Sequence, residues 1–147
     1  MKGRIVIALA AALLISAVVN AAPSDGRKIS YLEYKCLEGV ELTHYVFQYD
    51  KRGTAWLIHV IDGNLDTSPR KKASKELIQS FQTLVEQGDV FSYAPEYQPA
   101  EAVCGGAQWQ LEVRLKDGQS VRSSGHAAEP PNSILESLGL LLRSYIF

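Results

Sequence analysis

The chain has 147 residues, 46% of them apolar and 21% charged, with 15 basic residues against 16 acidic ones. That balance offers no positive excess with which to hold nucleic acid or an anionic membrane surface. It leaves room for one domain with its own core, and no linker-like stretch divides the sequence.

Lys2 and Arg4 precede an apolar run from Ile5 to Val19, and the small residues Asn20-Ala21-Ala22 follow. A basic start, an apolar middle and a small-residue exit describe a secretory signal peptide. Cleavage is expected after Ala21 or one residue later, leaving residues 22–147 as a single domain. An uncleaved anchor is the rival reading, but the run is short for a bilayer span and Pro23 ends it abruptly. No stable membrane insertion is expected after cleavage, and the destination is the periplasm or the medium. Without Lys2 and Arg4, thirteen basic residues face the 16 acidic ones, a formal charge of −3.

Cys36 and Cys104 are the two cysteines of the chain. In an exported protein such a pair reads as a disulfide. Closing so long a loop contributes about 4 kcal/mol in the chain-entropy model.

Ile29 to Leu37 alternates, with Leu32, Tyr34 and Cys36 on one face, and predicts a strand. Glu41 to Tyr49 is rich in aromatic and β-branched residues and predicts a second, its buried face undecided between Leu42/Val46 and Tyr45/Phe47/Tyr49. Thr54 to Ile61 is almost wholly apolar and reads as a central strand. Leu77, Ile78, Phe81, Leu84 and Val85 then mark one face of a helix, with Ser74 as its cap and Gly88 just past its end. The basic run Arg70-Lys71-Lys72 reads as a solvated lead-in.

Residues 89–103 lack a period, and so long a connection is either functional or hides a strand. Phe91, Tyr93 and Tyr97 lie on it between prolines and are the candidate partner-binding residues, since preorganised aromatics give contact area at low entropic cost. The competing reading folds these rings back over the sheet. Trp109, Leu111, Val113 and Leu115 alternate cleanly with polar residues. A three-residue loop ending in left-handed Gly118 would pair Val113 with Val121 and keep both on the buried side. Ser133 and Glu136 suggest a capping box for a last helix carrying Ile134, Leu135, Leu138, Leu141, Leu142 and Tyr145.

The order βββα-ββα predicts an α+β domain: an antiparallel sheet of about five strands, two amphipathic helices on one face, and one disulfide. In layout, and in no motif, the order resembles that of small bacterial metalloprotease inhibitors of the emfourin type.

The sequence shows no GxSxG, phosphate loop, dinucleotide motif or metal-ligand spacing, so no cofactor and no metal are expected. His44 and His59 would face each other if their strands pair symmetrically about the Asp50–Gly53 turn. A hydrolase built on His126 with Ser120, Ser123 or Ser124 is the weakest reading. The expected function is non-enzymatic: a small exported module that binds another protein, as an inhibitor or immunity protein of a periplasmic or secreted enzyme. A small-ligand or cell-envelope-binding module is the alternative.

Overall fold

A computed structural model describes residues 25–147. The expected signal peptide, residues 1–21, lies outside the described residues. Strands β1 (Ile29–Glu38), β2 (Glu41–Tyr49), β3 (Ala55–His59) and β4 (Arg70–Lys72) lead into helix α1 (Lys75–Gln87). Strands β5 (Glu96–Tyr97), β6 (Gln108–Leu115) and β7 (Ser120–His126) follow, and helix α2 (Leu135–Ile146) ends the chain. The strands form one mixed sheet of seven in the order β4-β3-β2-β1-β6-β7-β5.

This corrects the five-stranded antiparallel expectation in two places. The basic run Arg70–Lys72 is an edge strand paired with β3 rather than a solvated lead-in. Part of the aperiodic segment is β5, which pairs parallel with β7 and makes the sheet mixed. Both added strands are defined by backbone pairing and are too short to show a side-chain period. The apolar Thr54–Ile61 run supplies β3, second from an edge, and the central strand is β1, flanked by β2 and β6.

The expected disulfide is also overturned: Cys36 and Cys104 are both free thiols. Cys36 lies within β1, half-buried and opposite Trp109 of β6. Cys104 sits in the exposed loop ahead of β6, followed by Gly105 and Gly106, both at φ of +87°. One thiol is held within a paired central strand and the other on an exposed loop, so the pair expected from compartment and count alone is not made.

Both helices pack on one face of the sheet. Leu77, Phe81 and Val85 of α1 and Leu135, Leu138 and Leu142 of α2 join Leu32, Tyr34, Tyr45, Phe47, Leu57, Leu111 and Val113 in one core. Phe81 meets Phe47 edge-on, with ring centroids 5.4 Å apart, a geometry that aromatic pairs favour. A shift in register between Ile29 and Tyr31 lets both Ile29 and Leu32 reach this core, although strict alternation would separate them. The other face carries a small cluster of Val46, Ile58 and Val60, with Tyr31 and Trp56 packed against it.

Three tight loops set the register. Gly39, at φ of +59°, begins the two-residue loop between paired Glu38 and Glu41. Gly118, at φ of +94°, closes a three-residue loop, and Val113 stands opposite Val121. Gly53, at φ of +81°, closes the same kind of loop, with the Asp50 amide donating to the Thr54 carbonyl.

Ser74 caps α1 by accepting a hydrogen bond from the Leu77 amide at 3.1 Å. The capping box expected for α2 is absent. Ile134 is the cap residue, and the Ser133 hydroxyl accepts from the Leu135 amide instead.

Candidate docking site

The paired strands bring one set of features to a single end of the sheet. There β1 runs out at Glu38, β2 begins at Glu41, β6 begins at Gln108 and β7 finishes at His126. On the helix side of this end is a cleft of about 390 Å³. Its walls include Tyr34, Cys36, Thr43 and Trp109 from the sheet and Leu135, Gly139 and Leu140 from α2. On the opposite side is a shallower cleft of about 320 Å³, lined by Lys35, Leu37, Leu42, Glu96, Ser124 and His126.

The hairpin tip between the clefts is unusually apolar for an exposed turn. Val40 is 98% exposed and Leu42 60%, while Leu140 of α2 is 59% exposed at the rim of the larger cleft. Large exposed apolar groups gathered at one place cost solubility, and they mark contact sites more often than isolated ones do.

The larger cleft is negative. Glu38, Glu41, Glu129 and Glu136 all line it, and none of the four forms an ion pair among the described residues. Burial, with Glu38 and Glu129 nearby, pushes the Cys36 thiol above its ordinary pKa, against a hydrogen bond to Tyr34. Burial also raises Tyr34, and the same two carboxylates add to the shift. Both groups are therefore neutral at physiological pH, and Cys36 is a poor nucleophile.

Gly125 and Trp109 fix the wall of this cleft. The Trp109 indole donates to the Ala128 carbonyl at 2.8 Å. A Cβ on Gly125 would lie 2.4 Å from Trp109 Nε1 and 2.4 Å from the Ala128 oxygen. Only glycine lets the ring lie against β7.

The aromatic segment approaches this end but turns inward. Tyr93 is 8% exposed, and its hydroxyl accepts from the Ile134 amide at 3.2 Å. Tyr97 meets Tyr93 edge-on and Trp109 at a tilt, with centroids 6.3 and 6.1 Å away. Phe91 is half-buried against the same core. Tyr97 and Phe91 each retain some exposed surface, whereas Tyr93 has little to offer a partner.

The histidines are scattered. Tyr45, not His44, stands opposite His59 and stacks on it at 5.0 Å. His44 lies on the other face, buried, with Glu33 Oε2 3.1 Å from its Nε2. His126 shares the shallow cleft with Ser124, but its Nε2 lies 3.0 Å from the Gly105 carbonyl. The Ser123 hydroxyl donates to the Ala94 carbonyl at 2.6 Å. Among the described residues no three His, Cys, Asp or Glu converge to hold a metal. No helix of the described residues is long and apolar enough to cross a membrane.

Sequence reasoning singled out Cys36, Cys104, Tyr97 and His126 for other roles and did not place them together at this end. It missed Val40 and the four carboxylates. Val40 between Gly39 and Glu41 was the available signal, since an apolar residue in a tight turn has no core to enter.

Comparison with protein-family models and with characterised proteins finds no match.

Proposed function

We propose that the protein is a small exported protein-binding module that docks through the Val40 end of its sheet. Inhibition or neutralisation of a periplasmic or secreted enzyme is the role that suits such a module. The observation that carries this reading is the exposed apolar hairpin of Val40 and Leu42 at the end of the sheet where two clefts open, Leu42 lining the shallower one and exposed Leu140 the larger. Apolar anchors around a cleft give contact area, and the tight hairpin loop supplies the preorganisation that lowers the entropic cost of binding.

Val40→Asp with Leu42→Asp tests it. Both side chains are exposed, so the fold should survive, and circular dichroism would verify that. A partner captured from the native envelope by the parent protein should be lost with this variant and retained with Arg122→Ala, which alters the open sheet face. Equal capture by all three proteins would end the proposal.

The cleft supports a second reading, a site for a small ligand or an envelope component, because Tyr34 and Trp109 wall a volume suited to one. A thermal shift with a small molecule that competes with no protein would favour it.

A further inference from the structure

We infer that the larger cleft receives a lysine or arginine side chain of the partner protein, flanked by apolar residues that meet Val40 and Leu140. This rests on the docking reading above and names the chemistry of the partner.

Charge complementarity is the first argument. Four carboxylates line the cleft against one cation, Arg143. All four carboxylates are exposed and none is in an ion pair among the described residues, so a basic group entering from a partner would meet complementary charge.

The second argument is shape. The carboxylates are spread around the lining and do not converge as a metal site would require. Tyr34, Trp109 and Leu135 form walls between them. A long basic side chain matches that arrangement, laying its methylene stem on apolar walls while its head reaches acidic groups at the mouth. Tyr and Trp rings also attract cations.

The third argument is Gly139. It faces Tyr34 across the cleft, and a Cβ there would lie 3.6 Å from the Tyr34 hydroxyl. Glycine inside a helix costs about 1 kcal/mol relative to alanine. A Cβ would already stand in van der Waals contact with Tyr34, and any longer side chain would occupy the cleft.

The test is an NMR titration of the purified protein with three blocked tripeptides, acetyl-Leu-Xaa-Leu-amide, in which Xaa is arginine, lysine or norleucine. The arginine or lysine peptide should shift the signals of Gly139, Glu129 and the Trp109 indole N–H, and bind at least ~10-fold more tightly than the norleucine peptide. Added salt should weaken that preference. Glu129→Gln with Glu136→Gln should remove the preference, and Gly139→Leu, which leaves every charge in place, should block binding of all three.

Equal binding of the norleucine peptide, shifts confined to another surface, or indifference to the glutamine variants would each overturn the inference. Preferential binding of free spermidine, insensitive to Leu140→Ala, would overturn it in favour of a small-ligand site. If the peptides fail while partner capture still depends on Val40 and Leu42, the inference falls and the docking reading stands.

Discussion

Gly88 and Ile134 are in contact where the end of α1 meets the start of α2, and a Cβ on residue 88 would lie 2.2 Å from Ile134 Cγ2. Gly88 has a φ of −81°, so its backbone does not require glycine. The close approach does. Ile134 is buried and has nowhere to retreat, and the Leu84 carbonyl stands 3.0 Å away on the other side. Gly88→Ala should therefore destabilise the protein by about 1–3 kcal/mol through overpacking. In urea unfolding, Ile134→Ala should cost less in the Gly88→Ala background than alone, because the two residues share one space.

Tyr93→Phe should cost about 1–2 kcal/mol, since it leaves the Ile134 amide buried without its acceptor. Tyr93→Ala should cost several times more and lower the unfolding midpoint sharply. Loss of partner binding in that variant would report unfolding. Thermal melts separate the two effects before any binding experiment.

Stability should fall as the pH drops below about 6.5. Burial lowers the pKa of His44 from its ordinary value of 6.5, against the hydrogen bond to Glu33, and Lys35 adds to the lowering. Below 6.5 the unfolded chain takes up a proton that the folded chain resists. The loss thus begins near the unfolded value and is complete below the folded one. His44→Gln should flatten the thermal midpoint between pH 7.5 and pH 5. The depressed carboxyls of Asp50 and Glu112 act at lower pH and stay out of that window.

Alkylation under non-reducing conditions should modify both cysteines. Cys104 is exposed and should react quickly, whereas Cys36 is half-buried with a raised pKa and should lag by at least ~10-fold. Mass spectrometry over a time course would resolve the two additions. A protein that takes up no label until it is reduced would contradict the free thiols.

Much of the fold was legible wherever side chains face a core. Trp109 to Leu115 alternates because β6 has one wet face, and the Gly118 loop placed Val121 opposite Val113. Ser74 and the Leu77–Val85 spacing located α1. The same loop argument applied to Lys51-Arg52-Gly53 would have put Tyr45 opposite His59. Assuming a symmetric turn centred one half-residue earlier put His44 there instead. Strands β4 and β5 were not legible, because backbone pairing defines them and their residues are mostly exposed. The buried Gln82 gave no signal either, although its side chain accepts from the Ile29 amide and donates to the Arg27 carbonyl. The cleft arises from residues as distant as Glu38 and Glu136, and only long-range pairing brings them together. The disulfide failed because an even count and an oxidising compartment say nothing about where two side chains point.

The place of β1 at the centre of the sheet also has a kinetic consequence. Among the described residues it is the first strand to be synthesised, yet one of its two neighbours is β6, which begins at Gln108. A chain that emerges N-terminus first therefore presents β1 with one side unpaired until most of its length has appeared. The completed sheet ends in strands of three and two residues, which give another chain little to pair with. The hazard of edge-to-edge aggregation is thus concentrated in the interval before β6 arrives, and slow delivery should lower the yield of folded protein more than raised concentration of the finished molecule does.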